Sequence, residues 1–116
     1  MMKRICQILL IVASGHLHAD CLKDSNGDVY CGPGSCEITS TGQIFCASNK
    51  NGGILKNQYG EVVCGVGHCA KNSNGEVYCS KEIDGGAAAN SNGEVMCYRG
   101  CNVGSQALCV REKGYK

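Results

Sequence analysis

Beyond residue 20 the chain passes five times through one polar-to-apolar pattern: DSNGDVYC, TSTGQIFC, NQYGEVVC, NSNGEVYC and NSNGEVMC, closing at Cys31, Cys46, Cys64, Cys79 and Cys97. In the extended half of each copy, side chains point alternately to opposite faces. The Val or Ile two places before the cysteine shares the cysteine's face. The Asp, Gln or Glu and the Tyr, Phe, Val or Met share the other. One face is therefore small and apolar and the other mixed. The polar half begins with Asp24, Thr39, Asn57, Asn72 or Asn90 and ends with Gly27, Gly42, Gly60, Gly75 or Gly93. That is the signature of a type I turn followed by a left-handed glycine. It predicts a β-hairpin with a three-residue loop and a bulge at the glycine.

The loop length fixes the register. With Ser25-Asn26-Gly27 as the loop, Asp24 faces Asp28, Lys23 faces Val29, Leu22 faces Tyr30 and Cys21 faces Cys31. The same count sets Cys36 opposite Cys46 and Cys69 opposite Cys79, each pair ten residues apart. These are non-hydrogen-bonded sites, where facing side chains approach most closely, which suits a disulfide. A two-residue type I′ loop on Asn-Gly shifts the register by one and throws the cysteines onto opposite faces. The remaining two hairpins carry Ile54 opposite Cys64 and Ala87 opposite Cys97. Cys64, Cys97, Cys101 and Cys109 are left to pair among themselves, with Cys101–Cys109 and Cys64–Cys97 the favoured arrangement. A rival scheme closes the CGPGSC and CGVGHC loops as Cys31–Cys36 and Cys64–Cys69.

The closing cysteines are spaced by 15, 18, 15 and 18 residues, which makes a 33-residue repeat over residues 31–63 and 64–96. The two copies align without a gap and agree at 13 of 33 positions. A half repeat, residues 20–30, precedes them and a C-terminal cap, residues 97–116, follows. Connectors of four residues (GPGS, GVGH) alternate with connectors of seven (ASNKNGG, SKEIDGG). The only helical signal is a short one over residues 105–111. The fold class expected is small, disulfide-rich and all-β: tandem hairpins, stacked or solenoid-like, each needing its neighbours to bury its apolar face.

Residues 1–19 read as a secretory signal, with Lys3 and Arg4, an apolar stretch over residues 5–13, and a cut after Leu17-His18-Ala19. The apolar stretch is too short to span a membrane. Asp20 before Cys21 argues against a lipoprotein signal. Export removes Cys6, His16 and His18, and leaves ten cysteines, His68, nine Lys or Arg and ten Asp or Glu, a net charge near −1. No basic run is present, which excludes a nucleic-acid binder. The chain has no Trp and one Phe. So small an apolar content does not offset the ordering entropy of about 1–2 kcal/mol per residue. An even set of cysteines in an oxidising compartment, secreted or periplasmic, is the usual compensation.

Candidate chemistry is sparse. Cys64-x4-Cys69 around His68 could contribute to a zinc or iron site, but the spacing is wider than a zinc knuckle. Asp24, Asn26 and Asp28 resemble the start of a calcium loop, yet the glycine falls fourth and Ser35 occupies the twelfth place, where a bidentate Glu is needed. No C-x-x-C is present, so a low-pKa redox thiol is not expected. With His68 alone, no nucleophile and base can be identified. Glu61, Glu76 and Glu94 form a ladder along one side, and Tyr30, Phe45, Tyr78 and Tyr98 form either a surface stripe or cross-strand packing. The expected function is that of an exported, disulfide-stabilised, non-enzymatic protein with a structural or protein-interaction role and no cofactor. Open strand edges would allow self-association. The alternative is a metal-binding protein that uses reduced cysteines.

Overall fold

The computed structural model describes residues 20–116, so the signal peptide expected over residues 1–19 lies outside the described residues. The five sequence copies fold as five antiparallel hairpins. Hairpin 1 is β1 (Asp20–Lys23) and β2 (Val29–Gly32); hairpin 2 is β3 (Cys36–Ile38) and β4 (Ile44–Ala47); hairpin 3 is β5 (Ile54–Lys56) and β6 (Val62–Cys64). Hairpin 4 is β7 (Cys69–Lys71) and β8 (Val77–Ser80), and hairpin 5 is β9 (Ala87–Ala89) and β10 (Val95–Cys97). Their register is the one the three-residue loop dictates: Cys21 faces Cys31, Cys36 faces Cys46, Ile54 faces Cys64, Cys69 faces Cys79 and Ala87 faces Cys97.

Each turn is built alike. The fourth residue is a glycine at φ between 79° and 89°, a region that costs glycine nothing. Its N–H donates to the carbonyl of the first turn residue, as from Gly75 to Asn72 at 3.1 Å. The first turn residue also caps the turn with its side chain. Asn72 Oδ1 accepts from the N–H groups of Asn74 and Glu76, both at 2.9 Å. Asp24, Asn57 and Asn90 do the same in their own turns, and Thr39 accepts from Gln43. This explains why small polar acceptors recur at that position.

The hairpins stack face to face, bulky face onto cysteine face. Leu22 and Tyr30 of hairpin 1 pack on Ile44 and the Cys36–Cys46 pair of hairpin 2. Phe45 of hairpin 2 packs on Ile54, Val62 and Cys64 of hairpin 3. Leu55 and Val63 of hairpin 3 pack on Val77, Cys69 and Cys79 of hairpin 4. Hairpin 4 in turn contacts both strands of hairpin 5.

Connector bonds recur at a shift of 33 residues. Gly34 N–H donates to Ala47 and Gly67 N–H to Ser80; Ser35 N–H donates to Gly52 and His68 N–H to Gly85. Asn51 and Asp84, equivalent in the two long connectors, both take positive φ (59° and 64°), which Asn and Asp tolerate better than other side chains. Asn51 Nδ2 donates to Asp84 Oδ1 at 2.7 Å, tying one long connector to the other. Close stacking also demands glycine where the chain crosses the next bridge. A Cβ on Gly65 would collide with Cys79 Cβ and Sγ, and one on Gly32 with Cys46 Cβ.

The last segment reverses direction and runs back along the array. β11 (Cys101–Val103) joins β8; Ser105 bridges Cys64; β12 (Cys109–Val110) joins β4; and β13 (Glu112–Lys113) joins β2. The expected helical stretch over residues 105–111 is one 3-10 turn, Gln106–Leu108, capped by Ser105 Oγ. It stops there because Cys109 must enter strand pairing with Ala47. The tail thus covers the return-strand edges of hairpins 1, 2 and 4 and touches that of hairpin 3. The described strands left at sheet edges are β1, β3, β5, β7, β6 beyond its single bridge to Ser105, both strands of hairpin 5, and the tail strands β11, β12 and β13 themselves.

Candidate functional site

All ten cysteines of the described region lie in disulfides. Cys21–Cys31, Cys36–Cys46 and Cys69–Cys79 join facing strands within one hairpin, with Cα atoms 3.9–4.0 Å apart. The rival closure of the CGPGSC and CGVGHC loops is not formed. Among the other four, the expected pairs Cys101–Cys109 and Cys64–Cys97 are replaced by Cys64–Cys109 and Cys97–Cys101. The path of the tail explains the difference. Cys101 sits beside β8 of hairpin 4 and Cys109 beside β4 of hairpin 2, so hairpin 3 separates them. Cys97 meets Cys101 across the tight turn at Arg99 (φ 60°) and Gly100 (φ 100°). Ser105, bonded both ways to Cys64 at 2.9 and 3.0 Å, delivers the tail to hairpin 3, where Cys109 closes on the buried Cys64.

The other sequence candidates are brought together only in part. His68 uses its backbone, which accepts from Ser80 N–H at 2.9 Å, and its side chain is exposed on the connector. Cys64 and Cys69 on either side of it are bonded elsewhere. Among the described residues, no three His, Cys, Asp or Glu side chains gather where they could hold a metal ion. Asp24, the first of the calcium-like acids, is buried and turned onto the N–H groups of its own turn. The glutamate ladder is bonded one rung at a time: Asn57, Asn72 and Asn90 donate from Nδ2 to Glu61, Glu76 and Glu94 at 3.1, 2.7 and 3.2 Å.

The aromatic series is divided between core and surface. Tyr30 is buried with the Arg111 guanidinium 4.5 Å from its ring centre, an arrangement that favours the cation. Phe45 and Tyr78 are half-buried between hairpins, and only Tyr98 is exposed, next to Arg99. Tyr30, Phe45 and Tyr78 therefore serve the stacking, and Tyr98 alone of the series stands at the surface.

Two clefts open between hairpins joined by long connectors. One of about 340 Å³ is lined by Thr39, Gln43, Phe45, Glu61, Val62 and Gln106, between hairpins 2 and 3. The other, about 380 Å³, lies between Asn72, Ser73, Tyr78, Asn92, Glu94 and Val95 of hairpins 4 and 5. Neither contains a nucleophile next to a base. The feature that sequence reasoning missed is the pair of bare ends. Val29 is 46% exposed, whereas its counterparts Ile44 and Val77 are at 0% and 3%. Met96 is 61% exposed, whereas its counterpart Val63 is at 5%. The signal was present in the repeat, since in a stack of identical units the first and last must each leave one face uncovered.

No protein-family model matches the chain, and neither a curated protein nor a solved structure is similar to it. No helix among the described residues is long and apolar enough to cross a membrane.

Proposed function

We propose that this is an exported, non-enzymatic scaffold that acts by presenting a rigid surface to another macromolecule. The observation that supports this most directly is the closure of all ten cysteines of residues 20–116 into five disulfides. Disulfides of this density persist in oxidising compartments, and they leave no thiolate for metal binding or nucleophilic attack. The polar side chains that recur are consumed in turns. What the array offers to solvent is shape: two end faces, the exposed first-strand edges and two clefts.

Cell fractionation followed by intact-mass analysis tests the proposal. The exported protein should begin near Asp20, take up no alkylating reagent without prior reduction and carry no metal. Retention inside the cell, several alkylated thiols, or stoichiometric zinc, copper or iron would overturn it in favour of a reduced metal-binding protein.

A further inference from the structure

We infer that the two bare ends dock onto each other between copies, so that the partner of the scaffold is a second copy of the same chain, joined head to tail. This rests on the scaffold reading and deepens it. Hairpin 1 exposes its cysteine face, made of the Cys21–Cys31 pair, Val29 and Lys23, with Glu112 and Gly114 of the tail beside them. Hairpin 5 exposes its bulky face, made of Ala88, Met96 and Glu94. Those are the two faces that meet wherever one hairpin of the array stacks on the next. An intermolecular contact would continue an interface the molecule already forms within itself.

The details at the two ends agree. At the first and last junctions, the N–H of the second turn residue donates to the glycine carbonyl of the next turn: Ser25 to Gly42 at 3.3 Å and Ser73 to Gly93 at 3.0 Å. The glycine lies against the preceding serine; a Cβ on Gly93 would meet Ser73 Cβ at 2.7 Å. At the ends these positions are Ser91, which has no later hairpin to reach, and Gly27, where a Cβ would meet nothing within 4 Å, an openness that Gly60 shares at the cleft between hairpins 2 and 3. Lys23 on the head and Glu94 on the tail carry opposite charges, but Glu112, opposite Cys31, sets a carboxylate on the head as well, so the orientation rests on the pairing of unlike faces and not on charge. Contact between two different faces leaves one of each free, so the assembly extends as an open chain or closes as a ring. One hairpin face per copy is a small interface, well below the ~1,600 Å² of standard complexes. Association should therefore be weak and concentration-dependent.

Sedimentation velocity on the exported protein from about 0.01 to 1 mM, a range that brackets weak complexes, tests this together with two surface variants. Wild type should rise in average mass with concentration and pass beyond the dimer. Val29→Lys, blocked at the head, and Met96→Lys, blocked at the tail, should each be monomeric alone. Mixed in equal amounts, they retain one good head and one good tail and should form a dimer and nothing larger. Retention of all five disulfides by intact mass confirms that both variants are folded. A wild type monomeric throughout the range overturns the inference, whether its end faces are bare or reserved for another partner. So does a variant that still associates alone, or a mixture no heavier than its parts. Monomeric protein with its bridges intact defeats this inference only, whereas free thiols defeat the scaffold reading itself.

Discussion

Removing the Cys64–Cys109 bridge should cost more stability than removing any other bridge in the molecule. It closes 45 residues, while the three hairpin bridges close ten each and Cys97–Cys101 closes four. Loop-closure entropy assigns about 4 kcal/mol to the long loop, about 2.7 to each hairpin loop and about 2 to the shortest. Burial widens the gap, since Cys64 is fully buried against Ile54 and Val62 while Cys21 is exposed. The comparison is between Cys64→Ala/Cys109→Ala and Cys21→Ala/Cys31→Ala, with the other four bridges left oxidised. Urea unfolding should show a midpoint about 2 M lower for the first double variant, for an m-value of about 2 kcal/mol/M. The second should lose about 1 M. Hydrogen exchange locates the effect. In the first variant the amides of Ser48, Ser105 and Gly114, which bond tail to array, should lose protection before those of the hairpin interiors. Equal midpoints, or a tail that stays protected, would show that strand pairing alone holds the tail and that the bridge is redundant.

Gly65→Ala should destabilise by about 1–3 kcal/mol, the usual cost of overpacking, because the new methyl meets Cys79; Gly86→Ala, with nothing within 4 Å, is the control and should leave the melting temperature unchanged. Asn72→Ala removes the acceptor for two N–H groups and the donor to Glu76, and should cost about 1–2 kcal/mol in thermal unfolding. Ser80→Ala deprives the Tyr98 carbonyl of its 2.7 Å donor and Glu82 N–H of its acceptor; a loss of about 1–2 kcal/mol is expected, and an unchanged melting temperature would show that water replaces both bonds.

The hairpins were legible because two independent local signals coincide. Turn chemistry demands a three-residue loop ending in glycine, and cysteines ten apart demand the same register. Either signal alone admits a rival, the type I′ turn or the short-loop bridges. Four cysteines were illegible for a physical reason. Their pairing depends on where residues 101–113 travel, and that path is set by the unpaired edges of β8, β4 and β2, not by anything local to the tail. Residues such as Cys101, Asn102 and Val103 carry a strand pattern but no mark of the strand they join. The apolar ends were hidden for a similar reason. Val29 and Met96 look like Ile44 and Val63 in the repeat, and only the count of stacked units separates a buried position from a bare one.

The two hairpins that lack a first-strand cysteine now have a role. Had Ile54 and Ala87 been cysteines, Cys64 and Cys97 would have closed locally like the other three, and the tail would have had no covalent hold. With apolar residues there, Ile54 stays buried against the core, while Cys64 is free to fix the tail at hairpin 3, the middle of the array. Attachment at the middle leaves short stretches on either side. Ser105 to Cys101 reaches hairpin 4, and Cys109 to Lys113 reaches hairpins 2 and 1. Each stretch pairs with an adjacent strand without a long loop to close, and closure cost grows with loop length. A local bridge has thus been exchanged for one that ties separate layers together. Stacked repeats that contact only their neighbours can fray from either end; a central clamp with a strand laid across four of the five layers opposes that fraying on both sides.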